Sequence, residues 1–382
     1  MGPLWFPREE YQARLELLRA HLDERTLDAM LVTWDQNIRY YAGFRQTTAN
    51  MSPARTTTLL LPRKSDPVLF VHVFQSADAR ASIWFEDVRA YQQLSGPPIE
   101  DIVAEIRARG IRRLAVELGE EMRVGMPAAD FLAIRDRLPG VEWLDAADLI
   151  WRQRIRKSRA ELEWMRKAGH ATAQGYHLGF PRVKAGMTER EVAGVLQAAM
   201  LEGGAEQIAF ILLSSGEGNY GRISGYATDR RVQKGEMVWV DMGARVNDYC
   251  ADFTRAAVLG GPTDQQKRMQ EIVVAVTARG VEVAGPGVPI AEIVRACNEE
   301  MKRRGQENTF VAGRIGHGVG LSNTEPPHVA LYDKTVLEPG MVIAVEPGIV
   351  ERYGTFHCEE NLIITENGRE IISTASRSLW SI

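Results

Sequence analysis

Two stretches of this chain, Met237-Val238-Trp239-Val240-Asp241 and Met341-Val342-Ile343-Ala344-Val345-Glu346, share one design. Each follows a glycine turn, runs as an apolar strand and reaches a carboxylate. Each is followed by a loop and a return strand carrying another acid, Asp252 after the first and Glu359 or Glu360 after the second. Strands this apolar must be buried. Acids at matching places in two hairpins suggest an internal pseudo-repeat that faces four carboxylates inward around one centre. Carboxylates held close repel unless a proton or a cation sits between them. The chain therefore needs a fold that brings two hairpins together around a cation site.

Between the hairpins lies Gly313-Arg314-Ile315-Gly316-His317-Gly318-Val319-Gly320-Leu321. The glycines let backbone pack close to His317. Oxygen ligands with a single imidazole suit manganese, iron, cobalt or zinc better than ions that need thiolates. Four carboxylates and one histidine exceed the needs of one ion. They suit two ions sharing a hydroxide, formed at neutral pH by a lowered water pKa. Cys250 and Cys358 flank the acids, and packing thiols are the expected reading for them. Three cysteines form no disulfide framework or paired motif.

The remaining chain divides in two. Residues 1–155 alternate strands (Asp28–Thr33, Thr56–Leu61, Val68–Val73, Arg113–Glu117) with helices (Pro7–His21, Asn37–Phe44, Ile99–Arg109, Pro127–Leu138), which predicts an α/β domain with a mixed sheet. Arg152, Arg154, Arg156, Lys157 and Arg159 form a basic run at the boundary, expected as a solvated face or interdomain salt bridges. Residues 156–382 carry helices at Arg159–His177, Thr188–Glu202 (with a capping box at Thr188 and Glu191), Thr263–Val283 and Ile290–Arg304. The net charge of −4 argues against nucleic acid as a partner. No apolar run approaches a membrane span, and the first residues lack a basic segment before an apolar core. A cytoplasmic protein with reduced thiols is expected.

These residues resemble the pita-bread metalloenzymes: methionine aminopeptidase, aminopeptidase P, prolidase and creatinase. The matching pieces are Val240-Asp241-Met242-Gly243, Asp252-Phe253-Thr254-Arg255, Gly316-His317-Gly318-Val319-Gly320-Leu321, Val345-Glu346-Pro347-Gly348 and Glu359-Glu360-Asn361 with Thr365-Glu366-Asn367-Gly368. Asn37–Phe44 matches the creatinase/prolidase amino-terminal domain. The resemblance implies a creatinase/prolidase-like domain over 1–155 and an α+β pita-bread catalytic domain over 156–382. It implies two divalent ions, manganese before iron, cobalt or zinc, and a homodimer. Asp241 would hold one ion, Asp252 and Glu359 would bridge, and His317 and Glu346 would hold the other. A metal-bound hydroxide would attack the amide bond of a short peptide or amino-acid derivative. Glu346 or Glu359 would manage its proton.

The departures concern catalysis. Proline-directed members carry histidines where this chain has Ser224 and Thr324, and often an arginine at His357. Serine and threonine neither carry charge nor titrate near neutrality, so an atypical specificity is expected. Ser224, Thr324 and His357 are the candidate replacements, with His328, Tyr220 and Arg222 nearby in sequence. Two other readings remain. A lyase of the dimethylsulfoniopropionate type would carry an extra aspartate where Gly243 stands. A binding module, or metal-free chemistry of the creatinase type, would dispense with ligands that this chain retains.

Overall fold

The computed structural model describes residues 4–46, 55–309 and 313–382. The chain divides between Arg154 and Ile155 into two compact units. In the first, β1 (Ala29–Val32), β2 (Thr58–Pro62), β3 (Val68–His72), β4 (Val88–Tyr91), β5 (Arg113–Val116) and β6 (Glu142–Asp145) form one sheet in the order β4-β3-β2-β1-β5-β6. β1/β2 and β2/β3 pair antiparallel, and the other neighbours pair parallel. Its helices are α1 (Arg8–Glu24), α2 (Asp35–Ala42), α3 (Ser76–Ser82), α4 (Ile99–Ala108), α5 (Ala128–Asp136) and α6 (Ala147–Arg154). This is the expected mixed α/β sheet. Gly43, with φ of 84°, stops α2. The sequence did not suggest β4 and β6. They are the two edge strands, and edges carry charged residues that blur the apolar pattern.

The second unit repeats a helix pair followed by a sheet. α7 (Arg159–Gly179) and α8 (Glu189–Glu202) precede β7 (Gln207–Ser215), β8 (Met237–Val246), β9 (Tyr249–Cys250) and β10 (Phe253–Val258). α9 (Asp264–Val283) and α10 (Ile290–Arg303) precede β11 (His317–Gly318), β12 (Glu325–His328), β13 (Val342–Val345), β14 (Gly348–Glu351), β15 (Gly354–His357), β16 (Glu360–Thr365) and β17 (Gly368–Ile371). The sheets run β18-β10-β8-β7, where β18 is Trp380–Ser381, and β12-β11-β13-β16-β17. β14 and β15 form a separate hairpin. Tyr176, Leu196, Val240 and Phe253 belong to one core cluster, and Val273, Ile293, Val345 and Leu362 to another. Each such buried side chain contributes about 1.5–3 kcal/mol. α8 opens with the expected capping box, and α7 with another at Ser158 and Glu161.

The basic run is not uniformly solvated. Arg154 is buried and donates to Asn37 Oδ1 at 2.7 Å. Lys157 Nζ lies 2.8 Å from Glu325 Oε1, both side chains 1% exposed. A charge pattern cannot show that a distant acid waits inside the fold for one member of the run.

Candidate metal centre

The first hairpin places its acids differently from the simple strand-turn-strand expectation. β8 runs past Asp241 to Val246, and Asp241 sits mid-strand between Leu212 on β7 and Thr254 on β10. The turn is Asn247-Asp248, both with positive φ (48° and 68°), closed by Val246 pairing with Tyr249. Two left-handed residues are what a two-residue hairpin turn requires, and Asn and Asp tolerate them. The strand then breaks at Ala251-Asp252 before β10 resumes.

The second hairpin breaks at the equivalent place. The single return strand expected over Phe356–Ile364 is two strands, β15 and β16, interrupted at Cys358-Glu359. Asp252 and Glu359 thus each stand immediately before a strand. The adjacent Glu360 is ion-paired at 2.9 Å with Arg255, both side chains 1% exposed, and at 2.9 Å with Arg377. Glu346 follows β13 directly.

Hydrogen bonds tie the halves together. The Asn361 side chain accepts from the Asp252 backbone N–H at 2.8 Å, and its amide donates to the Asp252 carbonyl at 2.5 Å. Thr254 Oγ1 donates to Glu359 Oε2 at 3.0 Å, and Arg255 Nη1 to the Glu359 carbonyl at 2.7 Å. His317 is held by close packing, since a Cβ on Gly316 would collide with the Ala344 carbonyl and one on Gly318 with that of Pro326.

The imidazole of His317 meets the acids. Its Nδ1 lies 3.0 Å from the Gly318 carbonyl. The tautomer that donates there leaves the lone pair on Nε2. Nε2 is 3.6 Å from Asp252 Oδ2 and 3.5 Å from Glu346 Oε1. Ligating atoms of Asp252, His317 and Glu359 all lie within 4.8 Å of one another, as do those of Glu346, His357 and Glu359. His357 is fully buried and stacks against Trp239, ring centroids 6.1 Å apart and 17° from parallel. The Glu346 side chain keeps 22% of its surface exposed, which leaves the cluster an opening to solvent.

Electrostatics show a cluster short of positive charge. Burial pushes Asp241 up to about 6, opposed by the nearby polar groups of Thr254, Glu359 and Asp252. Burial, then the Asp241 charge, pushes Glu346 up to about 8. Asp252 is raised well above the usual range by burial, then by Asp241 and Glu346; Glu359 is raised by burial, then by Asp252, Asp241 and Glu346. Burial lowers His317 to about 4 and His357 to about 3, so both imidazoles are neutral at pH 7. Asp241 Oδ1 and Glu359 Oε1 are buried with no hydrogen-bond partner. Buried acceptors are rarely left so. Orphaned oxygens, crowded carboxylates and a neutral imidazole fit divalent cations.

The sequence did not single out Arg314 as a site residue. Its charge draws Asp252 and Glu346 downward, as the smallest of the effects on each, and its Nη1 lies 2.9 Å from His328 Nδ1. Its place three residues before His317 in the glycine-rich loop was the available signal. Ser224 is exposed in the loop between β7 and β8, and Thr324 is half-buried just before β12. Cys250, Cys297 and Cys358 are buried free thiols.

Removing cations should make stability depend on pH. An unfolded carboxylate titrates near 4, whereas Asp241 and Glu346 titrate at about 6 and about 8 when folded. Between those limits the folded state holds more protons, so its stability falls as pH rises. Below about pH 4 both states are protonated and the penalty vanishes. The melting temperature of chelator-stripped protein should drop by several degrees or more from pH 5 to pH 8, and that of metal-loaded protein far less. Parallel differential scanning calorimetry series check this.

The chain is similar throughout to known proteins. The model of metallopeptidase family M24 matches residues 163–366, and that of the creatinase/prolidase N-terminal domain matches residues 14–156. The Xaa-Pro dipeptidase of Pyrococcus furiosus is 28% identical over 370 residues, 96% of this chain and 99% of its own. The solved prolidase from Pyrococcus horikoshii OT3 superimposes with a TM-score of 0.83 at 28% identity, covering 96% of this chain and 99% of that one. X-Pro aminopeptidase from Thermotoga maritima MSB8 gives 0.84 at 25% identity, covering 96% and 99%.

Proposed function

This chain belongs to metallopeptidase family M24, and on that premise we propose that it is a two-metal hydrolase that cleaves the amide bond of a dipeptide or a similar amino-acid derivative. The observation that carries this is the ring of Asp241, Asp252, His317, Glu346 and Glu359, with two buried oxygens lacking partners. We assign the catalytic work to residues 156–382. Asp241 would hold one ion, Asp252 and Glu359 both ions, and His317 and Glu346 the second. When bound, such ions polarise a carbonyl and lower the pKa of water. Manganese is our first candidate, given the excess of oxygen ligands.

The chain's own groups do the rest. Asn361 and Thr254 fix Asp252 and Glu359 against thermal drift. Glu346, partly exposed and raised by burial, stands where a proton can pass between substrate and solvent. The lyase reading loses support, because a Cβ at Gly243 would collide with the Ala251 carbonyl, so no aspartate fits there.

Relatives named Xaa-Pro dipeptidases make a dipeptide the first substrate class to test. Ser224 and Thr324 supply no charge near neutrality, so ordinary Xaa-Pro turnover should be slow. A dipeptide panel measured by free amino-acid release tests this. Metal-loaded protein should release amino acids from some members, and S224H/T324H should raise kcat/KM on Xaa-Pro about 10-fold or more. Turnover absent from the whole panel, and unimproved by the double substitution, would reject dipeptide hydrolysis.

A further inference from the structure

Three of the proposed ligands, Asp252, Glu346 and Glu359, stand in gaps between strands, where no sheet ladder holds their backbone. Buried peptide groups need partners, and a carboxylate is aimed only as firmly as the main chain that carries it. At each gap a side chain from another part of the fold meets the ligand's carbonyl. Asn361 grips both peptide groups of Asp252, and Arg255 donates to the Glu359 carbonyl at 2.7 Å. At Glu346 the N–H donates to the Ile315 carbonyl at 2.8 Å, and the carbonyl lies 3.1 Å from His357 Nε2.

We propose that His357 is a positioning residue of the metal centre, the third of these clamps, holding the main chain of Glu346 so that its carboxylate is already aimed at the ion it ligates. This rests on the assignment of the cluster as a cation site made above. A carbonyl only accepts, so the proton sits on Nε2 and the ring acts here as a donor, not as a ligand. Glu346 needs the hold more than Asp252 does, its side chain being 22% exposed against 7%. The contact also closes the step from β13 into the β14/β15 hairpin, where His357 pairs with Gly348. The imidazole is itself held by its stack on the buried Trp239. Trp239 lies two residues before Asp241 on β8, and side chains two apart on a strand share a face. The stack therefore ties Glu346 of the second hairpin to the strand that carries Asp241 in the first. Hydrogen bonds that orient a metal ligand typically change affinity by about 10- to 100-fold.

The test uses cobalt(II) as the probe and two substitutions that separate the donor from the ring. H357Q carries an amide N–H as many bonds from Cβ as Nε2 but gives up the ring. H357F keeps a flat ring on Trp239 but has no donor. Titration followed by visible absorption should show H357F binding one of the two cobalt ions about 10- to 100-fold more weakly than wild type, with shifted bands, and H357Q recovering most of that loss. A folded H357F (circular dichroism as wild type) with unchanged affinity and spectrum, or an H357Q that falls as far as H357F, would overturn the role of His357 alone. Heteronuclear NMR of histidine-labelled, metal-free wild type, with the His357 signals assigned by their absence from H357Q, should show the Nε2–H tautomer; the Nδ1–H tautomer would also overturn that role. A wild-type chain that takes up no cobalt would overturn the cation site itself, and this assignment with it.

Discussion

Asp252→Ala is expected to reduce amide hydrolysis by about three orders of magnitude or more, while leaving the fold intact. Asp252 stands between the halves of the cluster, 3.6 Å from His317 and grouped with Glu359. Losing a shared ligand removes several kcal/mol of transition-state stabilisation, and each 1.36 kcal/mol is tenfold in rate. The fold should survive because Asn361 grips the backbone N–H and carbonyl of Asp252, which alanine retains. The same substitution deletes a carboxylate crowded by Asp241 and Glu346. Stripped of metal at pH 8, the variant should therefore melt at or above the temperature of stripped wild type. Activity assays paired with calorimetry separate this outcome from general destabilisation, in which both quantities fall together.

The second large effect is on stability. Arg255→Ala should cost about 3–5 kcal/mol, because it leaves the buried Glu360 with much of its charge uncompensated. The guanidinium donates to Glu360 and to the carbonyls of Thr254, Glu359, Ser373 and Ala375, linking β10 with the segment from Glu359 to Ala375. Arg377, whose side chain is 41% exposed, and the Ser373 hydroxyl also bond Glu360 and would compensate part of its charge. Against a typical total of about 5–15 kcal/mol, such a loss is large. R255M/E360L, which removes both charges, should recover a good part of it. Urea unfolding of the three proteins is the measurement. A single variant as stable as wild type would show that the pair is not a strut.

Much of this was legible in the chain. Apolar runs that reach an acid, with a glycine-bracketed histidine between them, led to five residues that the structure brings together, because strand pattern and ligand chemistry are both local. Breaks in strands are not. Nothing in Phe356–Ile364 announces an interruption at Cys358-Glu359, since no glycine or proline stands in the stretch and its two ends are apolar. Choosing Glu359 over Glu360 needed the resemblance. In the fold Glu360 turns to Arg255, a partner set by tertiary packing. Lys157 was hidden in the same way within a basic run, its partner Glu325 being remote in sequence. The edge strands β4 and β6 escaped because half-exposed strands carry weak alternation. Arg314 bears on the acids only through its charge in the folded chain.

The proposed two-ion site is built from this ring of acids. Metal content is the direct test, measured on the native protein after equilibration with manganese and desalting, alongside Asp252→Ala treated identically. About two equivalents of divalent metal per wild-type chain are expected, with a clear loss of bound metal in the variant. Wild-type protein that is folded yet retains no metal at any concentration tried, or a variant that binds as much as wild type, would contradict it.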